Sequence, residues 1–386
     1  MSKTCRAPGG ADPRPDGAVV PTQRVLHFVT GGFSGATQVA VDLCRAAQAQ
    51  GRTEVMLALR RKSNTDAARV EAIRAQGIAV EVLPGWAHLA TIFALWRLCR
   101  RWKPQALVAH GFPEHLLGRW AGLWAGVPRL LQVEHNTRER YTPWRRWQAR
   151  RLAAHTECMI GVSEGVRRSL LQLGMPAERT LAIPNGIQLE RFSPKALWPM
   201  TERTPQIVMV ARFARQKDPQ TLLEALALLR DRGLSPSLKF AGSGSRSHLQ
   251  AAQRAVRALG LDQQVEFLGQ YPEVPALLMR SRVFVLSTRW EGMPLALVEA
   301  MAAGCACVAT AAPGVEGVLE DERTGLLVPP GDAQALAQAL WRLFTDTALA
   351  ERLGHAARQQ AEQEHGVALM LERYEAVIQR GLAERP

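Results

Sequence analysis

The chain has 386 residues, is 47% hydrophobic, and carries 48 Lys+Arg against 35 Asp+Glu, a formal net charge of +13. That length exceeds one ordinary core and that apolar content excludes a mostly disordered chain, so about two domains are expected. No uncharged apolar run of roughly 18 residues occurs, which excludes a bilayer-spanning helix, and the basic excess leaves nucleic acid, an anionic membrane or phosphorylated ligands as partners.

The charge is uneven. Residues 1–199 hold 28 Lys+Arg and 14 Asp+Glu, net +14, whereas residues 200–386 hold 20 and 21, net −1. The chain opens on a Pro/Gly-rich stretch, 1–22, read as a disordered tail without the apolar segment of a secretory signal. Its six cysteines include no C-x-x-C, so buried free thiols in a reducing cytoplasm are expected. Strands are then predicted at Arg24–Val29, Glu54–Leu59, Ala79–Leu83, Ala106–Ala109, Arg129–Glu134 and Cys158–Val162. Helical patterns lie between them, as at Thr37–Gln50, Ala67–Gln76 and Ile92–Arg101. The rhythm resumes with strands at Gln206–Ala211, Leu238–Ala241, Val265–Leu268, Val283–Leu286 and Ala306–Thr310. Such alternation predicts parallel sheets covered on both faces, and eleven or so strands suit two doubly wound α/β domains better than one. The expected division is 23–190 for a first Rossmann-like domain, 191–365 for a second, and 366–386 for a terminal helix. Phe192, Pro194, Trp198, Pro199 and Pro205 mark the linker.

Parallel sheets bind ligands beyond the carboxyl ends of their strands, so the loops there carry the chemistry. After Val283–Leu286 comes Glu291-Gly-Met-Pro-Leu-Ala-Leu-Val-Glu299. Pro294 suits the first helical position, and Gly292 allows close backbone approach. The N–H groups of Leu295 and Ala296 favour an anion, while Glu291 and Glu299 suit sugar hydroxyls. After the first strand of the second domain, Arg212 and Lys217 flank a loop and together can clamp a diphosphate. The turn Thr30-Gly-Gly-Phe-Ser-Gly-Ala-Thr is not G-x-G-x-x-G, which disfavours a nicotinamide dinucleotide. His110 and His135 end two strands of the first half. No H-E-x-x-H or paired metal spacing accompanies them, so no metal site is expected.

These segments resemble family 4 retaining glycosyltransferases of the bacterial surface-glycan type. Glu291–Glu299 looks like their E-x7-E signature. The likeness extends through Ser287–Gly304, Gly325–Asp332 and Ile183-Pro-Asn-Gly-Ile187. The resemblance implies the GT-B fold, two Rossmann-like domains facing across a cleft, with the last helix returning to the first domain. It implies a nucleoside diphosphate sugar donor, UDP-linked, with no cofactor and no metal. Arg212 and Lys217 match the diphosphate ligands, Glu291 the residue holding sugar hydroxyls, and Glu299 the residue holding the ribose. Gly292, Met293, Pro294 and Leu295 match the phosphate-side backbone, and His135 the histidine near the transferred sugar. Gly32 matches the glycine turn near the phosphate, and Val265–Gly269 the frame of the base. The turn reads Gly-Gly-Phe-Ser-Gly-Ala-Thr where the family commonly has Gly-Gly-Ala-Glu-Arg.

The expected activity is retaining, metal-independent transfer to a hydroxyl of a lipid-linked or lipopolysaccharide-type glycan. The competing readings are a basic membrane- or nucleic-acid-binding adaptor without catalysis and a nucleotide-sugar epimerase. Two Trp/Arg segments, Trp96–Lys103 and Trp144–Arg151, suit an anionic membrane surface, and no nucleic-acid signature accompanies them. The expected location is cytoplasmic, peripheral on the inner face of the membrane.

Overall fold

The computed structural model describes residues 23–51, 53–138, 141–193 and 198–383, so the expected tail at 1–22 lies outside the described residues. The first domain runs β1 (Gln23–Thr30), α1 (Gly35–Gln50), β2 (Thr53–Arg60), α2 (Ala67–Arg74), β3 (Ala79–Leu83), α3 (His88–Trp102) and β4 (Ala106–His110). It continues with α4 (Glu114–Ala125), β5 (Arg129–Glu134), α5 (Pro143–Ala153), β6 (Cys158–Gly161), α6 (Glu164–Gln172) and β7 (Thr180–Ala182). The second runs β8 (Thr204–Val210), α7 (Pro219–Asp231), β9 (Ser237–Ala241), α8 (Arg246–Ala258), β10 (Val265–Gly269) and α9 (Val274–Arg280). It is completed by β11 (Ser281–Leu286), α10 (Leu295–Ala302), β12 (Ala306–Thr310), β13 (Leu326–Val328) and α11 (Ala333–Thr345). Two helices close the chain, α12 (Thr347–Glu364) and α13 (Val367–Ala383).

Each domain is built on one parallel sheet, ordered β3-β2-β1-β4-β5-β6-β7 in the first and β10-β9-β8-β11-β12-β13 in the second. Helices cover both faces, so central strands are buried along their whole length: all five residues of β4 are buried, as are all five of β12. The strand order reverses direction at β1/β4 and at β8/β11. There the loops diverge to opposite faces and leave a crevice at the carboxyl edge.

The chain crosses between the domains twice, side by side. The Ile187 N–H donates to the His365 carbonyl at 2.8 Å, and the Val367 N–H donates to the Ile187 carbonyl at 3.0 Å. Gly186 permits this approach, since a Cβ there would stand 2.6 Å from the Gly366 carbonyl oxygen. Beyond the crossing, α13 packs on the first domain: Met370, Leu371, Tyr374 and Ile378 share one apolar cluster with Val39, Leu43 and Ala47 of α1.

Three sequence readings are corrected. The short strands β7 and β13 escape the pattern, because three residues carry no readable periodicity. Pro294 is the N-cap of α10 rather than its first residue. Trp96 and Trp102 are half-buried against the core that holds Leu95 and Leu98, so the exposed tryptophans of the two Trp/Arg segments are those of α5.

Candidate active site

The second-domain wall is set by the turn after β8. A 3-10 turn, Arg215–Lys217, ends on Asp218 in the left-handed region at φ 42°. Asp218 is held there because its carboxylate accepts from Arg289 Nε at 3.1 Å and from Thr221 Oγ1 at 3.0 Å. The pinned turn aims Lys217 at the loop after β11. Lys217 Nζ donates to Glu291 Oε1 at 2.6 Å, Thr288 Oγ1 donates to the same oxygen at 2.7 Å, and Gln216 Nε2 reaches Oε2 at 3.3 Å. Glu291 is buried, and its carboxylate is held by three donors, one of them a cation. Arg212 stands exposed on the same wall, and none of its donors has a partner among the described residues.

The first-domain wall meets this loop directly. Thr137 Oγ1 donates to the Glu291 carbonyl at 2.9 Å, and Ser163 Oγ donates to the Gly292 carbonyl at 2.6 Å. Gly292 is the only residue type that fits: a Cβ would come within 1.8 Å of the His135 carbonyl oxygen. His135 follows β5, and its N–H donates to the side chain of buried Glu134 at 3.1 Å. Burial pushes the Glu134 carboxyl up to about 7.

Between the walls lies a cavity of about 380 Å³, a volume suited to a nucleotide-sized ligand. Two helix starts open into it. Ser34, Gly35 and Ala36 bring the N-terminus of α1, and Pro294, Leu295 and Ala296 that of α10. Neither start is capped by a side chain, so free N–H groups and two helix dipoles converge on one space. With Arg212 and Lys217 they form a positive field for an anion such as a diphosphate.

The structure brings His135, Arg212, Lys217, Glu291, Gly292, Met293, Pro294 and Leu295 around this one cavity. Gly32 and Glu299 fall outside its lining. Gly32 faces the Asn64 side chain, and Ser34, Gly35 and Ala36 take the place on the cavity wall. Glu299 stands one turn along α10 at 3.8 Å from Arg191, and burial raises its carboxyl. The strand β10 also lies outside the lining.

Sequence reasoning missed several cavity residues. Glu114 is buried and accepts from Arg60 Nε at 2.8 Å, with Lys62 at 3.6 Å. Asn185 lines the cavity with its Oδ1 buried and unpartnered among the described residues. Its signal was the Ile183–Ile187 segment, which carried the family likeness but no assigned site residue. Glu114 gave no signal, because Arg60 is 54 residues away.

The first domain exposes several large apolar side chains: Trp86 (84% exposed) just before α3, Leu89 (77%) and Phe93 on α3, and Trp144 and Trp147 stacked on α5 at 4.7 Å. Arg97, Arg100, Arg101, Arg146 and Arg150 are exposed on the same two helices. Among the described residues no helix is long and apolar enough to cross a membrane, and no group of three or more His, Cys, Asp or Glu is arranged to hold a metal.

The family model described as Glycosyl transferases group 1 matches residues 195–360, and that described as Glycosyltransferase Family 4 matches residues 33–191. Among curated relatives, the UDP-Gal:alpha-D-GlcNAc-diphosphoundecaprenol alpha-1,3-galactosyltransferase of Escherichia coli is 25% identical over 68% of this chain and 72% of its own. The amylovoran biosynthesis glycosyltransferase AmsK of Erwinia amylovora is 30% identical over 60% of this chain and 58% of its own. The chain spans about half to three fifths of the length of the three relatives that are 30–31% identical. In fold it is similar to Anabaena HepE in complex with UDP and glucose (TM-score 0.79, 20% identical, 92% of this chain and 99% of that one). It is also similar to a glycosyltransferase from Rickettsia africae (TM-score 0.83, 17% identical, 95% and 100%). The two parallel-sheet domains and these neighbours make the fold GT-B.

Proposed function

The chain belongs to glycosyltransferase family 4, and on that premise we propose that it moves a sugar from a UDP-linked donor to a hydroxyl of a lipid-linked or lipopolysaccharide-type glycan. The transfer retains anomeric configuration and uses no metal. The observation that carries this reading is the convergence of Arg212, the Lys217–Glu291 pair and two uncapped helix starts on one cavity. As the bond from the anomeric carbon to the diphosphate breaks, negative charge grows on the leaving group, and fixed cations and N–H groups stabilise it there. The acceptor hydroxyl attacks the anomeric carbon from the same face, and a leaving phosphate oxygen takes its proton. Lys217, held in place by Glu291, supplies one of these cations to the diphosphate, and the remaining lone pairs of Glu291 accept from sugar hydroxyls. The relatives support the donor and acceptor classes: one is named for UDP-Gal and a diphosphoundecaprenol acceptor, and the Anabaena protein binds UDP. Family membership favours transfer over an adaptor or an epimerase. The test is transfer to a lipid-linked sugar in excess chelator, with the product read by NMR. The reading expects full activity and the donor's own anomer; an inverted product or loss of activity in chelator overturns it.

We further propose that the first domain sits on the cytoplasmic face of the inner membrane. Its half of the chain holds the whole charge surplus, and Trp86, Leu89, Phe93, Trp144 and Trp147 supply apolar anchors beside exposed arginines. Each basic residue near an anionic surface contributes on the order of 1 kcal/mol. Flotation with anionic vesicles is expected to carry the protein upward, less so in high salt and less so for Trp86→Ser with Trp144→Ser. Equal behaviour with anionic and neutral vesicles contradicts the location.

A further inference from the structure

Three imidazoles stand in single file from the cavity into the first domain. His135 and His110 line the cavity. His135 Nε2 lies 3.3 Å from His110 Nδ1, and His110 Nε2 lies 3.0 Å from His27 Nδ1 on β1. Burial depresses all three, His27 to about 4, His135 to about 3, and His110 well below its ordinary value. The row is therefore uncharged at neutral pH. A neutral imidazole has one N–H and one bare nitrogen. Two contacts among three such rings allow only two arrangements. Either every hydrogen points toward the cavity and His135 carries its hydrogen on Nδ1, or every hydrogen points away and that Nδ1 is bare.

The far end decides between them. His27, its Nδ1 committed to the row, lines a small space of about 20 Å³ that Gln23, Tyr374 and Glu375 also border. That is room for one water. Gln23 Nε2 and the Tyr374 hydroxyl are buried and without partners among the described residues. An amide nitrogen only donates, and burial keeps the Tyr374 phenol protonated. Neither donor has a protein acceptor among those residues, so a water in the space they border is the acceptor open to both, and together they would occupy its two lone pairs. Such a water must donate: one hydrogen goes to His27 Nε2, and the Glu375 carboxylate can take the other.

We infer that a water held by Tyr374 and Gln23 fixes the tautomer of His135 through His27 and His110, so that His135 presents an Nδ1–H donor to the cavity. His27, His110 and Tyr374 are then positioning residues, and the terminal helix α13 helps set the chemistry of a cleft it does not line. The consequence for catalysis rests on the proposed transfer, in which His135 stands beside the transferred sugar.

Ring spectra of the whole protein labelled with 15N-histidine test the row without any substrate. His135 is identified by the signal lost in His135→Gln. Its neutral ring is expected as the Nδ1–H tautomer in the wild type. In Tyr374→Phe, which removes one oxygen and frees a lone pair on the water, a substantial Nε2–H population is expected. His27→Phe is expected to abolish the bias as well. An Nε2–H ring in the wild type, or an unchanged ring in both variants, overturns the inference. Tyr374→Phe is also expected to lower kcat roughly 2- to 10-fold at unchanged donor KM, the worth of one neutral hydrogen bond. Shifted spectra with unchanged turnover uphold the row and instead reject the role of His135 beside the sugar.

Discussion

Replacing Lys217 by Ala is expected to lower donor turnover by about 100- to 1,000-fold, the loss that follows removal of one fixed group that stabilises developing charge. Few other groups can take over. Arg212 stands on the same wall, but it is exposed and its guanidinium has no partner among the described residues, whereas Lys217 is held at 2.6 Å from Glu291 by a turn pinned through Asp218. Among the described residues, the same substitution leaves the buried Glu291 carboxylate with Thr288 and Gln216 alone as side-chain donors. A loss of stability of about 1–3 kcal/mol is therefore expected beside the kinetic effect. Thermal unfolding separates the two, because a folded variant with lost turnover isolates the catalytic contribution. Turnover within a few-fold of the wild type would remove Lys217 from the site.

Glu291→Gln is expected to depress kcat about 100-fold while the protein unfolds within a few degrees of the wild type. The amide has the shape of the carboxylate, and its oxygen still accepts from Thr288. What it loses is charge: the acceptor that holds Lys217 and, in the donor complex, two strong acceptor oxygens for sugar hydroxyls. Because those contacts serve the sugar rather than the nucleotide, donor KM is expected to change far less than kcat. Undiminished transfer rejects the assignment of Glu291.

The difference between what was legible in the sequence and what was not follows from the range of the interactions. Strands buried on both faces declare themselves as continuous apolar runs, as at Ala306–Thr310, and their alternation with helices is enough for two doubly wound sheets. The loop Glu291–Leu295 was legible because strand, turn and helix start are local. Arg212 and Lys217 were legible for the same reason, yet their convergence with His135 came only through the family resemblance, since it depends on how the two domains meet. Glu114 with Arg60, and His110 with His27, are joined between elements far apart in the chain, the second pair 83 residues apart. Periodicity gives no sign of such pairs. The tryptophans of α3 are a different case. Trp96 and Trp102 sit beside arginines in the sequence, but their side chains turn inward, while Trp86, Leu89 and Phe93, without an adjacent basic run, reach the surface.

The opening charge asymmetry also gains a structural meaning. The phosphate-type site draws on Arg212, Lys217 and two helix starts, a small part of the Lys+Arg total. The surplus in the first half is distributed instead over exposed helix faces such as Arg97, Arg100, Arg101, Arg146 and Arg150.

The central claim is that this cavity binds a nucleoside diphosphate sugar and stabilises departure of its diphosphate. Incubating the protein with a panel of such donors in the absence of acceptor, and following release of the nucleoside diphosphate, tests it most directly. Slow release from a UDP-sugar by the wild type, and its loss in Lys217→Ala, is the predicted result. No release from any donor, or equal release by both proteins, would contradict it.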